Sequence, residues 1–395
     1  MSTISASTTS TTAFKVTADT TGVLTLQTGA TPTTALTVGS DQSVTFAQAA
    51  NLPNTFGFKN RIINGAMVID ARNAGASVTF NDETFPVDRF RGHCTQTSKL
   101  TAQRSSTAPA GFSNSLLLTS SSAYSVTSGD IFMLGQGIEG FNVGDLGWGT
   151  ANAQTITLSF WVRSSLTGTF GGALRNSAGN RSYPFTYTIS VANTFEYKTV
   201  TVVGDTSGTW LTDNGVGIRL VFSLGAGSTY SGTAGAWAGS NFWSATGATS
   251  VVGTNGATFY ITGVQLEKGS TATSFDYRPY GTELVLCQRY FYSLGGSTAY
   301  EMIGTGACIT TGSAIIVIPF EVQMRTTPSF TSSGNFLIKN ATANTNVATT
   351  SFALDVSGNQ TASINVSCGT VVAGDGTFLF ASNSTASRIQ WSAEL

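Results

Sequence analysis

"TITLSFWV", residues 155–162, is the stretch that predicts the fold of this chain. Its apolar side chains Ile156, Leu158, Phe160 and Val162 alternate with polar ones. A period of two is typical of a β-strand with one face in a core and the other toward solvent. The same alternation recurs in "VGIRLVFSLG" (216–225) and at residues 183–191, 195–203 and 258–266. Because Gly, Ser and Asn turns separate these segments and helical periods are almost absent, the sequence predicts an antiparallel sandwich or jelly roll.

The composition is that of a folded, weakly charged protein. Its 395 residues suffice for two or three domains, and 41% of them are hydrophobic. The 19 basic and 20 acidic residues give a net charge of −1, which provides no overall field for nucleic acid or an anionic membrane surface. The longest aliphatic run, "AIIVIPF" at 314–320, is far shorter than the ~20 residues of a membrane span. We therefore expect a soluble protein with no nucleic-acid partner and no membrane insertion.

Few residues of the chain suit catalysis. Its only histidine, His93, is followed by Cys94, but neighbouring residues of a strand point to opposite faces and cannot form a catalytic pair. The other cysteines, Cys287, Cys308 and Cys368, are far apart, which favours buried free thiols over disulfides or a zinc site. We therefore expect no catalytic residues and a protein that is not an enzyme.

Paired carboxylates are the residues that would cleave a polysaccharide. Acidic residues cluster in "NDETFPVDRF" (81–90), and Asp205 and Asp213 flank Trp210. Within the first cluster Asp88 precedes Arg89, and a structural ion pair between these two is the simpler interpretation. Glycan cleavage is therefore only a third alternative for function.

The first 57 residues predict a tail and a small β-stem. Residues 1–22 are rich in Thr and Ser, without the apolar run of a secretory signal peptide, and predict a flexible tail. Three short alternating pieces follow, "GVLTLQTG" (22–29), "ALTVGS" (35–40) and "QSVTFA" (42–47). They are too small to form a core alone. They indicate either an intertwined stem to which several chains contribute or a hairpin folded onto the next domain.

Two further β-domains are predicted, a jelly roll over residues 58–280 and a smaller β-sandwich over 281–395. A short helix is expected at the start of the second domain. There Thr282 can cap and Glu283 suits a helix start, while Leu284 and Cys287 fall at a helical spacing. The segment before it, "TATSFDYRPYG" (271–281), predicts a domain junction. Its members are Phe275, Tyr277, Arg278 and Tyr280.

Several stretches resemble a domain found in tail-fibre and other virion proteins of tailed bacteriophages, at its opening (60–75 and 85–90) and its close (259–291), and the C-terminal unit that often follows it (318–330 and 389–395). They are "NRIINGAMVIDARNAG" (60–75), "FPVDRF" (85–90), "FYITGVQLEKGSTATSFDYRPYGTELVLCQRYF" (259–291), "IPFEVQMRTTPSF" (318–330) and "IQWSAEL" (389–395). The resemblance covers roughly residues 58–395. It implies a virion protein made in the cytoplasm of a host bacterium. It also implies a homotrimer that contacts other virion proteins through its N-terminal segment.

The central domain also resembles the jelly rolls of carbohydrate-binding modules, through "TITLSFWVRSS" (155–165) and "FYITGVQLEKG" (259–269). Sugars stack their C–H faces on aromatic rings and bond their hydroxyls to polar groups. The Gly-rich loop "STYSGTAGAWAGSNFWSATGATS" (228–250) carries aromatics that alternating strands do not explain. The candidate glycan-binding residues are Tyr230, Trp237, Phe242 and Trp243 of this loop, together with Trp210 and, more weakly, Trp148. The alternative is that these rings close one end of the sandwich or pack against a neighbouring subunit.

Jelly rolls of this kind often carry a structural calcium ion, which needs six to eight oxygen ligands. Asp70 and Asp276 lie near the two ends of the predicted domain, so the candidate metal site consists of these two carboxylates. No other cofactor is expected.

These observations favour a phage fibre protein that attaches to a host surface polysaccharide without catalysis. Several copies per particle would strengthen weak single-site contacts. The C-terminal domain is an equal candidate for the receptor-binding tip. The alternative function is a head decoration, knob or collar protein with a structural role, and the third is a polysaccharide depolymerase.

Overall fold

The computed structural model describes residues 15–18, 23–28, 31, 33–40, 44–46, 59–342 and 344–395. The chain divides into two compact units, before and after residue 55. Among the described residues, the regular elements are strands, three short 3-10 turns and one α-helix. The predicted all-β class is confirmed.

The first unit contains a four-stranded antiparallel sheet whose strands pair in chain order. Its strands are β1 (Lys15–Ala18), β2 (Leu24–Thr28), β3 (Thr33–Val38) and β4 (Val44–Phe46). The three alternating pieces of the sequence all contribute to this sheet. The predicted tail at residues 1–22 lies outside the described residues apart from β1.

The second unit begins with a sandwich of two antiparallel sheets, as predicted. Its strands are β5 (Val78–Phe80), β6 (Arg91–Cys94), β7 (Leu100–Ser105), β8 (Ser115–Ser120), β9 (Ile131–Glu139), β10 (Ile156–Ser164), β11 (Gly168–Arg175), β12 (Ser182–Ile189), β13 (Glu196–Val202), β14 (Val216–Ala226), β15 (Ser231–Gly232), β16 (Ser244–Ala245) and β17 (Thr258–Lys268). One sheet has six strands in the order β13-β10-β17-β8-β7-β5, and the other has five in the order β12-β11-β14-β9-β6. The short strands β15 and β16 form a parallel pair of their own.

Alternation places one face of each sheet in a common core. The residues predicted to face the core are all buried there: Ile156, Leu158, Phe160 and Val162 of β10, and Ile218, Leu220 and Phe222 of β14. Burying one such side chain stabilises the fold by roughly 1.5–3 kcal/mol. On the opposite faces of the same strands, Thr157, Ser159, Val221 and Ser223 are covered by other parts of the chain, whereas Trp161 and Arg219 are partly exposed.

The C-terminal part of the second unit is a closed barrel and not the predicted β-sandwich. Its elements are α1 (Tyr280–Gln288), β18 (Phe291–Gly295), β19 (Met302–Thr310), β20 (Ser313–Pro319), β21 (Ser329–Ser333), β22 (Phe336–Asn340), β23 (Thr345–Ser357), β24 (Thr361–Cys368), β25 (Gly376–Ala381) and β26 (Arg388–Ser392). The barrel runs β19-β20-β24-β23-β22-β25, and a separate three-stranded sheet runs β18-β26-β21.

The barrel closes because β19 pairs with both β20 and β25. Strand β23 has register shifts between Thr349 and Ser351 and between Leu354 and Val356. Such irregularities bend a strand and allow a small sheet to curl until its edges meet. Alternation in the sequence identifies the buried face of a strand, but it does not indicate whether the two edge strands pair.

The helix is where the sequence predicts it, but its cap differs. The N-cap is Pro279, with no side-chain capping bond, so the predicted capping role of Thr282 is wrong. The backbone becomes helical before Thr282, at Tyr280, and Glu283 lies in the first turn. In the described part of the chain, no helix combines the length and apolarity needed to cross a membrane.

The predicted junction residues contact mainly the sandwich. The rings of Phe275 and Tyr277 pack with Phe112 at centroid distances of 5.1 and 5.4 Å, and Tyr280 is exposed. The prediction that these three rings lock two domains together is therefore corrected. Arg278 does connect the two parts, because Nη1 donates to the Ile62 carbonyl and to Glu283 of α1 at 3.2 Å each.

Buried ion pairs join the sandwich to the C-terminal part. Glu139, at the end of β9, accepts hydrogen bonds from Arg289 (2.5 and 2.9 Å) and from the Tyr290 hydroxyl (2.6 Å). Glu394 pairs with Arg72 at 3.0 Å and with Arg89. The two parts thus share a polar interface in which charged side chains are paired.

Candidate functional site

Two of the predicted glycan-binding residues belong to a packed tryptophan cluster. Trp210 and Trp237 contact each other and Trp148, with ring centroids 4.8 to 5.4 Å apart. Trp210 is only 8% exposed. All three indole N–H groups donate to backbone carbonyls, those of Gln154, Ser207 and Val203. The cluster packs with the sandwich core, as the alternative interpretation of these rings predicts.

The other rings of the loop lie on the outer side of the five-stranded sheet. Trp243 is 8% exposed and packs with Met133, Ala173 and Val221, and Tyr230 lies beside it. Phe242 lies against Gly232, where an added Cβ would be 2.3 Å from the ring. Trp243 is used in packing, whereas Tyr230, Trp237 and Phe242 are partly exposed. The glycan site predicted in this loop stays a prediction.

The two carboxylates of the predicted metal pair accept hydrogen bonds from different backbone groups. Asp70 accepts hydrogen bonds from the backbone N–H groups of Asn73 (3.0 Å) and Gly75 (2.6 Å), within its own turn. Asp276 accepts from the Asn60 N–H at 3.2 Å. No group of three or more His, Cys, Asp or Glu side chains that could hold a metal ion occurs among the described residues.

The acidic residues considered for cleavage have partners of their own. Asp88 pairs with Arg72 at 2.8 Å, and not with the adjacent Arg89 as the sequence predicts. Asp205 forms a bidentate pair with Arg181, at 2.6 and 2.7 Å. The cysteines are free, as expected, although Cys94 is only partly buried.

A groove of about 550 Å³ lies on the outer face of the six-stranded sheet, where sequence reasoning placed no site. Aromatic rings of Phe112, Trp161, Tyr197, Phe275 and Tyr277 line it. Tyr197 is 43% exposed and Tyr277 51% exposed, so much of both side chains is open to solvent. We refer to this surface as the aromatic groove.

Two neighbouring strands set one side of the aromatic groove. Trp161 on β10 is directly opposite Tyr197 on β13, with ring centroids 5.4 Å apart. Trp161 lies between Phe160 and Val162, both fully buried in the core. The strand that anchors the sandwich therefore also holds Trp161 in place. The rings of Phe112, Phe275 and Tyr277 form the other side.

A glycine makes room for these rings. Gly263 on β17 has a φ of +61°, a conformation that glycine adopts without strain. The pairing of β10 with β17 shifts register between Ser159 and Trp161, as at a β-bulge. A Cβ at Gly263 would lie 2.7 Å from the Phe112 ring and 3.1 Å from Trp161. Only glycine allows both rings to approach here.

The polar groups of the aromatic groove are uncharged. Ser159, Thr273 and Ser274 line it. The buried hydroxyl of Thr262, opposite Trp161, has no hydrogen-bond partner within the described part of the chain. Burial raises the pKa of Tyr277, whose hydroxyl donates to the Gly111 carbonyl at 2.5 Å. Aromatic faces beside neutral hydroxyls suit a neutral ligand that presents both C–H and O–H groups.

Part of this site has a signal in the sequence. Trp161 occupies a solvent-side position of the most regular alternating strand, where a large apolar residue is unexpected. Tyr197 has the same phase in β13. The sequence does not indicate that these two strands are neighbours, nor that residues 272–277 pack beside them.

Comparison with known proteins identifies similar structures but no family. No family model and no curated protein matches this chain. The enzymatically active domain of bacteriophage CBA120 tailspike protein 4 is similar over 53% of this chain and 22% of its own, with 15% identity and a TM-score of 0.30. This chain thus spans less than a quarter of that tailspike chain.

Carbohydrate-binding modules are similar over the same share of the chain. The family 11 module of a cellulosomal cellulase of Clostridium thermocellum is similar to this chain, with 12% identity and a TM-score of 0.25. The match includes 51% of this chain and 99% of the module. The CBM22-1 xylan-binding domain of Paenibacillus barcinonensis is also similar, with 8% identity and a TM-score of 0.25. This match includes 51% of this chain and the whole of that domain.

Proposed function

We propose that this protein binds a neutral polysaccharide through the aromatic groove, without cleaving it, as the attachment component of a tailed-phage virion. The observation that carries the binding site is the pairing of Trp161 with Tyr197 on a rigid sheet, beside three further rings and neutral hydroxyls. Exposed aromatic surface on a sheet is costly in water, and it marks interaction sites.

The physical chemistry of the groove matches a sugar chain. Each pyranose ring offers an apolar C–H face that stacks on Trp or Tyr, while its hydroxyls require hydrogen-bond partners such as the exposed Ser274. The groove volume of about 550 Å³ is within the usual range of ligand-binding clefts, and its exposed rings Tyr197 and Tyr277 leave space for a sugar chain to continue. The rings are held by strands, so little side-chain entropy is lost on binding.

Binding without turnover is supported by the state of the acidic residues. Cleavage of a glycosidic bond requires two free carboxyl groups on either side of the bond. None of the described residues that line the aromatic groove is acidic, and Asp88 and Asp205 are each held in ion pairs elsewhere.

The virion location rests on the sequence motifs that resemble phage tail-fibre domains. In the N-terminal sheet, Val44 is 53% exposed at a position where alternation predicts a buried side chain. This exposure supports a stem in which several chains share their apolar faces. Light scattering on the purified protein measures the number of chains, and a monomer would contradict the shared stem.

Binding is tested on an array of bacterial surface polysaccharides with the unmodified protein and three variants. We expect Trp161→Ala and Tyr197→Ala to lower the affinity for the bound polysaccharide about tenfold or more. Phe141→Ala, which removes a 65% exposed ring outside the groove, is the matched control and should bind normally. Equal binding by all three variants would contradict the proposed site.

Head decoration remains the competing function. Immunogold labelling of phage particles distinguishes the two, because an attachment protein lies on the tail and a decoration protein lies on the capsid. Capsid labelling together with no binding on the array would overturn the attachment proposal and favour a structural role.

A further inference from the structure

The outer face of the five-stranded sheet, on the other side of the sandwich from the aromatic groove, gathers four basic side chains. Arg175 on β11 is directly paired with Arg219 on β14. On β9, Gly137 is paired with Arg219 and Gly135 with Arg91 of β6. His93 lies two residues beyond Arg91 on the same face. We refer to Arg91, His93, Arg175 and Arg219 as the basic face.

The basic side chains lie on both sides of β9. Its Gly135 and Gly137 leave space between them that the Val221 and Leu395 side chains fill. Burial lowers the pKa of Arg219, and the positive charge of Arg91 lowers it further by a smaller amount. Burial, with a smaller contribution from the charge of Arg219, lowers the pKa of Arg175 to about 9. Positive charges that are close and poorly hydrated repel one another, at a cost to the folded state.

The basic face is poorly neutralised by acids of this chain. Arg175 is 4% exposed, and its Cζ lies 3.6 Å from the centre of the Trp243 ring. Among the described residues, its hydrogen-bond acceptor is the amide oxygen of Asn241. Arg219 forms no side-chain hydrogen bond or ion pair with any described residue. Arg91 pairs at 2.9 Å with Glu83, which is largely exposed and therefore screened by solvent, and its Nη1 donates to a Leu395 oxygen at 3.4 Å. Asp82 acts on Arg219 from farther away and partly offsets the lowering of its pKa.

Buried donors without partners concentrate here. Nε of Arg91, Nε of Arg175 and Nε1 of Trp243 are buried and lack a hydrogen-bond acceptor in the described ranges. The hydroxyl of Ser223, on the same face of β14, also lacks a partner there. A buried donor left unsatisfied costs about 1–3 kcal/mol, so several of them together indicate a missing acceptor.

We propose that the basic face is a binding site for an oxyanion, either a carboxylate or a phosphate group of a ligand. Two guanidinium groups clamp the oxyanion, as arginine commonly does with planar or tetrahedral anions. Arg219 and Arg91 are partly exposed and admit the ligand, while the buried Arg175 and Trp243 form the inner wall.

The proposal does not rest on the aromatic groove. The two sites use opposite sheets and share no residue, and their ligands differ in charge. If the protein is an attachment factor, the basic face would recognise an acidic sugar or a phosphorylated sugar. If the groove proves not to bind glycans, the oxyanion site is unaffected.

Isothermal titration of the untagged protein at low ionic strength tests the site. The probes are sodium phosphate and trigalacturonate as a carboxylate source, with neutral maltotriose as the comparison ligand. We expect phosphate, trigalacturonate or both to bind, and any heat from maltotriose to be the same for Arg219→Gln as for the unmodified protein. Binding of phosphate alone identifies a phosphate site, and binding of trigalacturonate alone identifies a carboxylate site.

Matched variants assign the binding to residues. Arg219→Gln should weaken anion binding about tenfold or more, because it removes one arm of the clamp. Arg388→Gln, on β26 of another sheet, is the control and should bind normally. Arg219→Gln should unfold at the same temperature or higher, since it relieves repulsion. If it does not fold, Arg91→Gln provides the same test.

His93 gives an independent readout, because it is the only histidine of the chain. Burial lowers the pKa of His93 to about 3, and the charges of Arg91, Arg219 and Arg175 contribute to this shift. Among the described residues, the acid that faces the imidazole is Asp82, with a carboxylate oxygen 3.4 Å from Nδ1. An anion bound among these arginines offsets their charge, so imidazole NMR signals should report a higher pKa for His93. The proposal is overturned if neither probe binds at millimolar concentration, or if Arg219→Gln binds as tightly as the unmodified protein.

Discussion

Trp161 and Tyr197 occupy directly paired positions on β10 and β13, and their ring centroids lie 5.4 Å apart on the solvent side of the six-stranded sheet. The inner side of the same strands carries Phe160 and Val162, which are fully buried. One alternating pattern therefore builds both the core and the aromatic groove. Because the core holds the strands rigidly, the rings are positioned before any ligand binds.

Gly263 should be essential to the aromatic groove. We expect Gly263→Ala to lower the free energy of unfolding by about 2–3 kcal/mol, since it adds both a left-handed-backbone cost and a clash with Phe112. Gly256→Ala is the control, because Gly256 also has a positive φ, of +74°, but an added Cβ there meets nothing within 4 Å. Urea unfolding and array binding measure both effects. Equal losses for the two variants would show that the clash is absent.

Trp210 should matter for stability and not for binding. We expect Trp210→Ala to lower the free energy of unfolding by about 3–5 kcal/mol, because it opens a cavity beside Trp148 and Trp237. Polysaccharide binding should persist wherever the variant is still folded. Trp161→Ala should behave in the opposite way, with a large loss of affinity and a small loss of stability. A Trp210→Ala protein that is stable but does not bind would support the glycan site predicted from the loop.

Glu139 should make the stability depend on pH. Burial alone would raise the pKa of Glu139, but the hydrogen bonds from Arg289 and Tyr290 outweigh it and the pKa lies below its ordinary value. Glu139 therefore stabilises the fold above its ordinary pKa, and this contribution is lost as the pH falls through its folded-state pKa. We expect the free energy of unfolding to fall between about pH 6 and about pH 3.

Urea unfolding of Glu139→Gln over the same pH series checks this expectation. The variant should be about 1–3 kcal/mol less stable near neutral pH, and its stability should fall less steeply on acidification. Glu321→Gln removes an exposed acid and serves as the control, with a slope like that of the unmodified protein. A slope unchanged by Glu139→Gln would contradict the assignment.

Glu394 should couple to Arg89 across the interface. Arg89 is 2% exposed, its Cζ lies 3.5 Å from the Tyr290 ring, and Glu394 is its paired acid. We expect Glu394→Gln to lower the free energy of unfolding by about 3–5 kcal/mol, because it leaves the buried guanidinium of Arg89 without its counter-ion. The double variant Arg89→Met with Glu394→Gln should be more stable than the sum of the single losses predicts. A double-mutant cycle by urea unfolding measures this coupling, and strict additivity would exclude it.

Local patterns in the sequence were enough to predict some features. The alternation in 155–162 correctly identified the core face of β10, and the spacing of Leu284 and Cys287 correctly indicated α1. The cap of that helix was mispredicted, because Thr282 has the chemistry of a cap but the backbone turns helical at Tyr280. The pairing of Asp88 with Arg89 was mispredicted for a related reason. Asp88 and Arg89 are the central residues of a turn, which the Phe90 N–H closes by donating to the Val87 carbonyl at 3.3 Å. Their side chains pair instead with Arg72 and Glu394.

The sequence by itself determined that this protein is built from antiparallel strands, because period-two burial depends only on neighbours along the chain. It also determined which side of each strand is apolar. The tertiary structure alone decided where the sites lie, since both the aromatic groove and the basic face combine outward residues of strands that are distant in sequence. Strand order and barrel closure depend on long-range pairing, which no local pattern contains. For the same reason Trp243 of the 228–250 loop, which looks free in the sequence, is packed in the folded protein.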